Sequence, residues 1–257
     1  MAAVANIQAY NNAMRKSMFD KLFFVADTED CHSYLDYGCA DGTTLRMLSE
    51  VVSEAKLFGY DTNPDQINLA AKNIPQAFLT TAWDTLSIEM NFSETAVICS
   101  SLIHEIYAYG DEETIYDFWW DIRQSDFQYI VIRDMSVSSR ASRKADAITV
   151  ANVIGNADQK QLAEFESVYG SISDQKNLIH WLLKYRYTNN WERELHEDYL
   201  KLTHEGLLKE ITTIPGYNMI SYEHYVLPFL RRQVKLDFDI DIQDNTHTKI
   251  ILARGNY

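Results

Sequence analysis

Residues 35–45 read Leu35-Asp36-Tyr37-Gly38-Cys39-Ala40-Asp41-Gly42-Thr43-Thr44-Leu45. An apolar run from Ser33 enters this stretch, and a helix-forming run leaves it and extends to Val52. Glycine tolerates positive φ and lets another molecule approach the backbone closely. A strand, a tight glycine loop and a helix N-terminus in this order predict a binding site for a nucleotide-like ligand.

A carboxylate follows the glycine loop at the end of the next strand-like run, which extends from Lys56 to Tyr60 and leads into Asp61. A carboxylate at that place can accept two hydrogen bonds from a ribose diol. The loop lacks the dinucleotide-binding pattern GxGxxG, because Ala40 and Thr43 stand where that pattern needs glycine. The sequence therefore disfavours an oxidoreductase of that type.

Beyond the loop, strand-like and helix-like runs alternate. The predicted strands are residues 33–37, 56–60, 77–80, 96–101 and 129–133, and the predicted helices between them are 43–52, 64–72 and 112–124. Alternation of this kind predicts a parallel sheet with right-handed crossovers and helices on both faces. Ligands then bind beyond the carboxyl ends of the strands, where we expect Asp61, Asp84, His104 and Asp134 to share one rim.

The glycine loop resembles motif I of the class I S-adenosylmethionine-dependent methyltransferases, usually hydrophobic-Asp-hydrophobic-Gly-Cys-Gly-x-Gly. The resemblance covers residues 33–134, and Ala40 replaces the middle glycine. It implies a doubly wound α/β fold with a seven-stranded, mostly parallel sheet, a Rossmann-like methyltransferase fold. The final strand, predicted at 248–253, would lie antiparallel between strand five and the strand at 219–226. The resemblance also implies S-adenosyl-L-methionine as the cofactor.

The resemblance further implies a set of cofactor-binding residues: Asp36, Gly38, Cys39, Ala40, Gly42, Asp61, Thr62, Trp83, Asp84 and Ser100. The loop backbone would cradle the amino-acid end of the cofactor, and Asp36 would orient the loop or reach the methionine ammonium. Asp61 would hold the ribose hydroxyls, and Thr62 would pack beside the adenine. Trp83 and Asp84 would border the adenine.

The segment after strand four, Ser100 to Tyr107, is similar to one in small-molecule methyltransferases that often carries a histidine. His104 titrates near neutrality when unperturbed, which suits a general base or a substrate hydrogen bond. Glu105 is the second catalytic candidate. The alternatives are a packing or capping role for His104 and an exposed helix-start position for Glu105. The Asn/Asp-Pro-Pro-Tyr sequence of amino-directed DNA methyltransferases is absent.

Residues 135–208 break the alternation and are predicted to be helical throughout, at 141–154, 158–169, 174–185 and 191–208. We interpret the region as a lid or substrate-recognition insertion between strands five and six. Its aromatic residues would either wall a substrate pocket or form a core; they are Trp181, Tyr185, Tyr187, Trp191 and Tyr199. His196 and Glu192 share a helical face and would contact substrate or metal, or form a charged surface. We predict no metal site.

The predicted organisation is a helical cover (1–30), a cofactor-binding core (31–134), the helical insertion (135–210) and closing strands (211–257). A helix over residues 4–26 would place Tyr10, Met14 and Met18 over the cofactor or simply against the sheet.

The formal net charge of −14 argues against broad nucleic-acid contact, which requires a basic surface. It leaves room for a small-molecule substrate or a protein partner. No run approaches the roughly eighteen apolar residues of a membrane span, and residues 1–21 lack a signal-peptide core. The cysteines Cys31, Cys39 and Cys99 show no metal or disulfide spacing. A cytoplasmic location is therefore expected.

The resemblance implies an enzyme that moves a methyl group to an oxygen or nitrogen, and the net charge favours a small-molecule acceptor. Two alternatives remain. One is a methyltransferase-fold protein that binds the cofactor or a partner without catalysis. The other is an RNA methyltransferase that uses a local basic patch such as Arg140, Arg143 and Lys144.

Overall fold

A computed structural model describes residues 18–255 and contains one seven-stranded sheet. Its strands are β1 (Ser33–Tyr37), β2 (Lys56–Tyr60), β3 (Phe78–Thr80), β4 (Thr95–Ser100), β5 (Tyr129–Met135), β6 (Tyr217–Tyr225) and β7 (His247–Arg254). The spatial order is β3-β2-β1-β4-β5-β7-β6, in which β1 to β5 run parallel. Strand β7 pairs antiparallel with both β5 and β6. The predicted doubly wound sheet, with its last strand between the fifth and sixth, is confirmed.

Helices connect the strands on both sides of the sheet. They are α1 (Met18–Lys21), α2 (Thr43–Ser49), α3 (Pro64–Asn73), α4 (Trp83–Glu89), α5 (Ile103–Tyr109), α6 (Glu112–Gln124), α7 (Ala147–Asn156), α8 (Gln159–Tyr169), α9 (Gln175–Lys184), α10 (Trp191–His196), α11 (His204–Thr212) and α12 (Pro228–Phe238). Helices α4 and α5 follow closely on β3 and β4, in two spans for which the sequence analysis gave no helix bounds.

Local sequence explains where several helices start. Asn63 caps α3 by accepting a hydrogen bond from the backbone N–H of Asp65 at 2.9 Å, and Pro64 occupies the first helical position. Asp111 caps α6 in the same way through the N–H of Thr114. The Asn63 cap fixes the turn that leaves the carboxyl end of β2, and the Asp111 cap fixes the turn between α5 and α6.

The sheet separates two apolar layers, because successive strand residues point to opposite faces. In β1, Leu35 packs with Phe58 and Val97 in one layer, whereas Tyr34 packs in the other layer. Helix α6 covers the first layer with Phe118, and helix α2 covers the second with Leu45.

The chain between β5 and β6 is helical and has its own apolar core, which it shares with α12. Trp181 is completely buried there, with its ring centroid 5.5 Å from that of Phe165 and 5.9 Å from that of Trp191. Of the two interpretations offered for these aromatic residues, the structure shows a core. The substrate-recognition role of the region stays a prediction.

The single helix predicted over residues 191–208 is wrong, because two short helices, α10 and α11, occupy this span. Thr203 starts a new helix by accepting a hydrogen bond from the N–H of Gly206. The N–H of His204 donates to the carbonyl of Val137, which follows β5. The loop between α10 and α11 is therefore held against the end of the sheet.

Tyr10 and Met14, placed above either over the cofactor or against the sheet, lie outside the described residues. No helix within residues 18–255 is both long enough and apolar enough to cross a membrane. The three cysteines are buried free thiols.

Candidate active site

A cavity of about 730 Å³ opens at the carboxyl ends of β1, β2 and β4. This volume suits a drug-sized or cofactor-sized ligand. Most of the residues proposed from the sequence line it, namely Asp36, Gly38, Cys39, Ala40, Asp61, Thr62, Ser100 and Glu105. These proposed residues therefore lie together around one cavity, and their roles toward a ligand stay predictions.

The loop between β1 and α2 alternates into left-handed backbone at Gly38 (φ 80°), Ala40 (φ 46°) and Gly42 (φ 73°). Alanine in this region costs roughly 1–2 kcal/mol, so the loop carries strain at Ala40. The N–H groups of Gly38 and Cys39 both donate to the carbonyl of Tyr60, at 2.8 and 2.9 Å. The loop is thus pinned to the end of β2.

Asp61 fastens the other side of this loop. Its Oδ2 accepts from the N–H of Ala40 at 3.0 Å, and its Oδ1 accepts from the N–H of Asn63 at 2.9 Å. Burial raises the pKa of Asp61, while the two backbone N–H groups oppose that rise. A carboxylate offers about four lone pairs, so two remain for hydroxyl groups of a ligand.

Asp36 and Lys21 face the cavity together. Asp36, near the end of β1, is 3% exposed, and burial raises its pKa to about 7 although the Lys21 ammonium opposes the rise. Lys21, at the end of α1, is 5% exposed, and burial lowers its pKa to about 8. The sequence analysis did not select Lys21, because nothing in the pattern around it indicates a site.

Three polar atoms of the cavity lining are buried without a partner among the described residues. They are Thr43 Oγ1, Gln66 Oε1 and Ser100 Oγ. Buried polar atoms are nearly always hydrogen-bonded. All three atoms belong to residues that line the same cavity.

His104 lies behind the cavity wall in a buried ionic cluster. Its Nδ1 is 2.5 Å from Asp134 Oδ1, and its Nε2 is 3.3 Å from Glu197 Oε1. Burial acts to lower the pKa of His104, but the two carboxylates outweigh it and raise the pKa to about 10. Asp134 also accepts from the N–H groups of Leu102 and His104, so it caps α5 as well. His104 is therefore an imidazolium at neutral pH.

Arg193, from α10, brings the helical region to the cavity. Its Nη2 is 2.9 Å from Glu105 Oε1, and its Nε is 3.3 Å from Glu197 Oε2. Tyr109 donates to the same Glu197 carboxylate at 3.1 Å. Arg193 and Tyr109 both line the cavity. Their roles depend on contacts between distant segments, which the sequence pattern could not indicate.

His104, Glu105 and Glu197 offer ligand atoms within 4.8 Å of one another, a spacing that a metal ion could bridge. Arg193 already pairs with both glutamates, and both nitrogens of His104 face carboxylates. The cluster is thus compensated by its own cations, and we assign no metal to it. The pair of His196 and Glu192 is a surface contact of 3.5 Å, with both side chains mostly exposed.

No protein-family model matches this sequence, and no curated protein matches it. Several solved structures are similar to this chain. The methyltransferase domain of bacterial CtHen1-C is 11% identical, with a TM-score of 0.50 over 95% of this chain and 100% of that chain. A SAM-dependent methyltransferase from Archaeoglobus fulgidus is 13% identical, with a TM-score of 0.51 over 93% and 94% of the two chains.

The plantazolicin methyltransferase BamL, in complex with a triazolic desmethylPZN analogue and SAH, is 10% identical. Its TM-score is 0.52 over 95% of this chain and 84% of that chain. These likenesses agree with the seven-stranded, mostly parallel sheet and its flanking helices. The fold is that of the class I S-adenosylmethionine-dependent methyltransferases.

Two residues proposed for the adenine end of the methyltransferase fold lie outside the cavity lining. Trp83 starts α4 and packs its ring against Tyr37 and Tyr60, with centroids 5.1 and 5.5 Å apart. Asp84 is exposed on the same helix. The structure thus gives Trp83 a packing position behind the cavity wall. Gly42 also stands behind the lining, where a Cβ atom would lie 2.9 Å from Ile74 Cγ2.

Proposed function

We propose that this protein is a methyltransferase that binds S-adenosylmethionine and methylates an oxygen or nitrogen of a small-molecule acceptor. The observation that carries the proposal is the cavity at the glycine loop, where Asp61 keeps acceptor capacity and three buried polar atoms have no partner. When bound, S-adenosylmethionine supplies a methyl group that is activated by its positively charged sulfur.

The residues present fit this cofactor. Asp61 would accept the ribose hydroxyls, the loop backbone from Gly38 to Ala40 would hold the amino-acid end, and Ser100 Oγ lies unpaired at the end of β4. Asp36 would face the cofactor's ammonium from below the loop. All of these groups come from segments whose backbone is already fixed by hydrogen bonds, so little ordering is required on binding.

The charge of the cavity also supports a cationic ligand. Among residues 18–255, two cations line it, Lys21 and Arg193, and Arg193 is paired with Glu105. The carboxylates that line it are Asp36, Asp41, Asp61, Asp65, Glu105, Asp117 and Asp121. A positively charged sulfonium and an ammonium are favoured where carboxylates are in excess.

A small acceptor is supported by the shape and composition of the same cavity. Beside Asp36 the cavity continues towards Lys21, Glu105, Tyr109 and Arg193. These polar side chains suit a compact acceptor with hydrogen-bonding groups. The BamL structure holds a desmethylPZN analogue together with SAH, and we propose a comparable pairing of acceptor and cofactor here.

Thermal unfolding with S-adenosylmethionine or S-adenosylhomocysteine tests the cofactor site. A ligand at about a hundred times its dissociation constant stabilises a fold by about 2.7 kcal/mol. We expect this stabilisation in the wild type and in Glu89→Ala, an exposed control on α4, and we expect its loss in Asp61→Ala. Unchanged unfolding of the wild type with both ligands would refute the cofactor assignment.

Methyl transfer is tested separately with radiolabelled S-adenosylmethionine and a panel of phenols, primary amines and imidazoles. Transfer to a panel member that Asp61→Ala abolishes would support an enzyme. Binding of the cofactor without transfer to any acceptor would favour the non-catalytic alternative.

A further inference from the structure

Methylation of a hydroxyl or an amine releases a proton, and a positioned side chain that takes this proton accelerates the reaction. The inference that follows rests on the proposed function. The sequence pattern suggested His104 for this task. In the structure both ring nitrogens of His104 face carboxylates, and the residue lies behind the cavity lining. His104 has no nitrogen free to receive a proton from an acceptor.

Glu105 reaches the cavity but is paired with Arg193 at 2.9 Å. Tyr109 donates its hydroxyl hydrogen to Glu197. Glu105 is thus paired with a cation, and Tyr109 is hydrogen-bonded to a carboxylate. Lys21 differs, because within residues 18–255 its Nζ forms neither a hydrogen bond nor an ion pair.

Lys21 is held at the cavity by its neighbour in the chain. Asp20 accepts from Arg133 Nε at 2.9 Å and from Tyr225 Oη at 2.5 Å, and it pairs with Lys249 Nζ at 2.7 Å. These partners belong to β5, β6 and β7. The end of α1 is therefore tied to three strands, which places Lys21 over the carboxyl end of β1.

Within residues 18–255, the charged groups around Lys21 lie on four elements. Asp36 lies on β1, Glu105 on α5, and Arg133 and Asp134 on β5, while Asp20 precedes it on α1. Burial and the Arg133 guanidinium lower the pKa of Lys21 to about 8, although Asp36, Asp134 and Glu105 act to raise it. Lysines whose pKa is lowered to about 7–8 serve as general bases near neutral pH.

We propose that Lys21 is the proton acceptor of the methyl-transfer reaction. Its neutral Nζ takes the proton from the acceptor's hydroxyl or amine as the bond from oxygen or nitrogen to the methyl carbon forms. The sulfur–methyl bond breaks at the same time, and its electron pair stays on sulfur. The resulting Lys21 ammonium faces Asp36 and Glu105, which stabilise its charge until it releases the proton to solvent.

The first test measures the titration of Lys21 directly. Lysine labelled with ¹³C and ¹⁵N is incorporated into the protein, which is titrated by NMR with S-adenosylhomocysteine present and absent. The Lys21 signal is assigned by its loss in Lys21→Arg. We expect two lysines, Lys21 and the buried Lys184, to titrate with midpoints near pH 8, well below the exposed lysines. A Lys21 midpoint near its ordinary value of 10.5 overturns the proposal, because the group would then be charged at neutral pH.

The second test separates this role from cofactor binding. Lys21→Met and Lys21→Arg should keep the calorimetric affinity for S-adenosylhomocysteine within about threefold, and Lys209→Met, exposed on α11, is the matched control. With an acceptor from the panel, both Lys21 variants should lose about 10²–10⁴ in turnover. Wild-type turnover should rise with pH up to about 8, and the variants should lose that dependence.

These experiments distinguish a failure of the proposed function from a failure of the role proposed for Lys21. If the wild type does not bind S-adenosylhomocysteine, the proposed function fails. If Lys21→Arg binds it and turns over at the wild-type rate, the proposed function stands and the role of Lys21 is refuted.

Discussion

At the scale of single residues, the loop after β1 has positive φ at Ala40 and at Gly42, and backbone strain differs between alanine and glycine. Ala40 has a φ of 46°, which is strained for alanine, whereas glycine there would gain backbone freedom in the unfolded chain. These effects oppose each other, so we expect Ala40→Gly to raise the free energy of unfolding by no more than about 1 kcal/mol. Urea denaturation measures it, and a clear loss of stability would contradict this account of the loop.

Gly42→Ala is the opposite substitution in the same loop. It would place a methyl group at φ 73°, 2.9 Å from Ile74 Cγ2 and 3.1 Å from Ala70 Cβ. Strain and overlap act together, so we expect a loss of about 1–3 kcal/mol in the free energy of unfolding. Equal stabilities of Gly42→Ala and wild type in urea would show that the helix pair α2 and α3 can move apart.

His104 gives a prediction with a defined pH dependence. Its pKa is raised from 6.5 to about 10 in the folded state, so its contribution to stability is complete below pH 6.5 and disappears as pH rises through about 10. We expect His104→Gln to cost about 3–5 kcal/mol at pH 6, because Asp134 and Glu197 lose the cation between them.

The measurement for His104 is urea denaturation of both proteins at several pH values. The gap between wild type and His104→Gln should narrow between pH 7 and 10, and His196→Gln, on an exposed pair, serves as the control. A gap that stays constant across this range would show that His104 is neutral in the folded protein.

At the scale of secondary-structure elements, one guanidinium joins α10 to α5. Arg193→Met would leave the carboxylates of Glu105 and Glu197 without it, and we expect a loss of about 3–5 kcal/mol. Arg193→Lys should recover only part of this, because an ammonium cannot bridge both carboxylates as a guanidinium does.

A double-mutant cycle with Glu105→Gln measures this coupling by urea denaturation. Removing one carboxylate should reduce the cost of Arg193→Met, so the two changes should be clearly non-additive. Additive losses would indicate that α10 is held to α5 by its apolar contacts alone.

The sequence predicted elements well where a local signal was strong. The bounds of β1 and β2, the cap at Asn63 and the lining position of Asp61 all follow from spacing and turn chemistry within some thirty residues. Local sequence patterns do not indicate which side chains from distant segments are in contact. Arg193 is held at the cavity by its ion pair with Glu105. Lys21 is held there by its neighbour Asp20, which pairs with Arg133. Both ion pairs join segments that are far apart in the chain. The contact between His104 and Glu197 could not be predicted for the same reason, since Glu197 belongs to the helical region.

At the scale of the whole molecule, the distribution of charge supports the proposed small acceptor over RNA. The chain carries a net charge of −14, and carboxylates outnumber cations in the cavity. The basic group proposed for RNA contact is partly neutralised, because Arg143 pairs with Asp244 and Lys144 with Asp174. A polyanion approaching the cavity would therefore be repelled over a Debye length of about 8 Å at physiological salt.

We expect no binding of a fluorescein-labelled single-stranded RNA at about 150 mM salt, measured by fluorescence anisotropy. Any weak binding at low salt should fall steeply as salt is added, because such contacts release counterions. Methyl transfer to the small-molecule panel should change little over the same salt range, because a small acceptor releases no condensed counterions on binding. RNA binding that persists at physiological salt and is lost in Arg140→Glu would contradict this prediction and favour the RNA methyltransferase alternative.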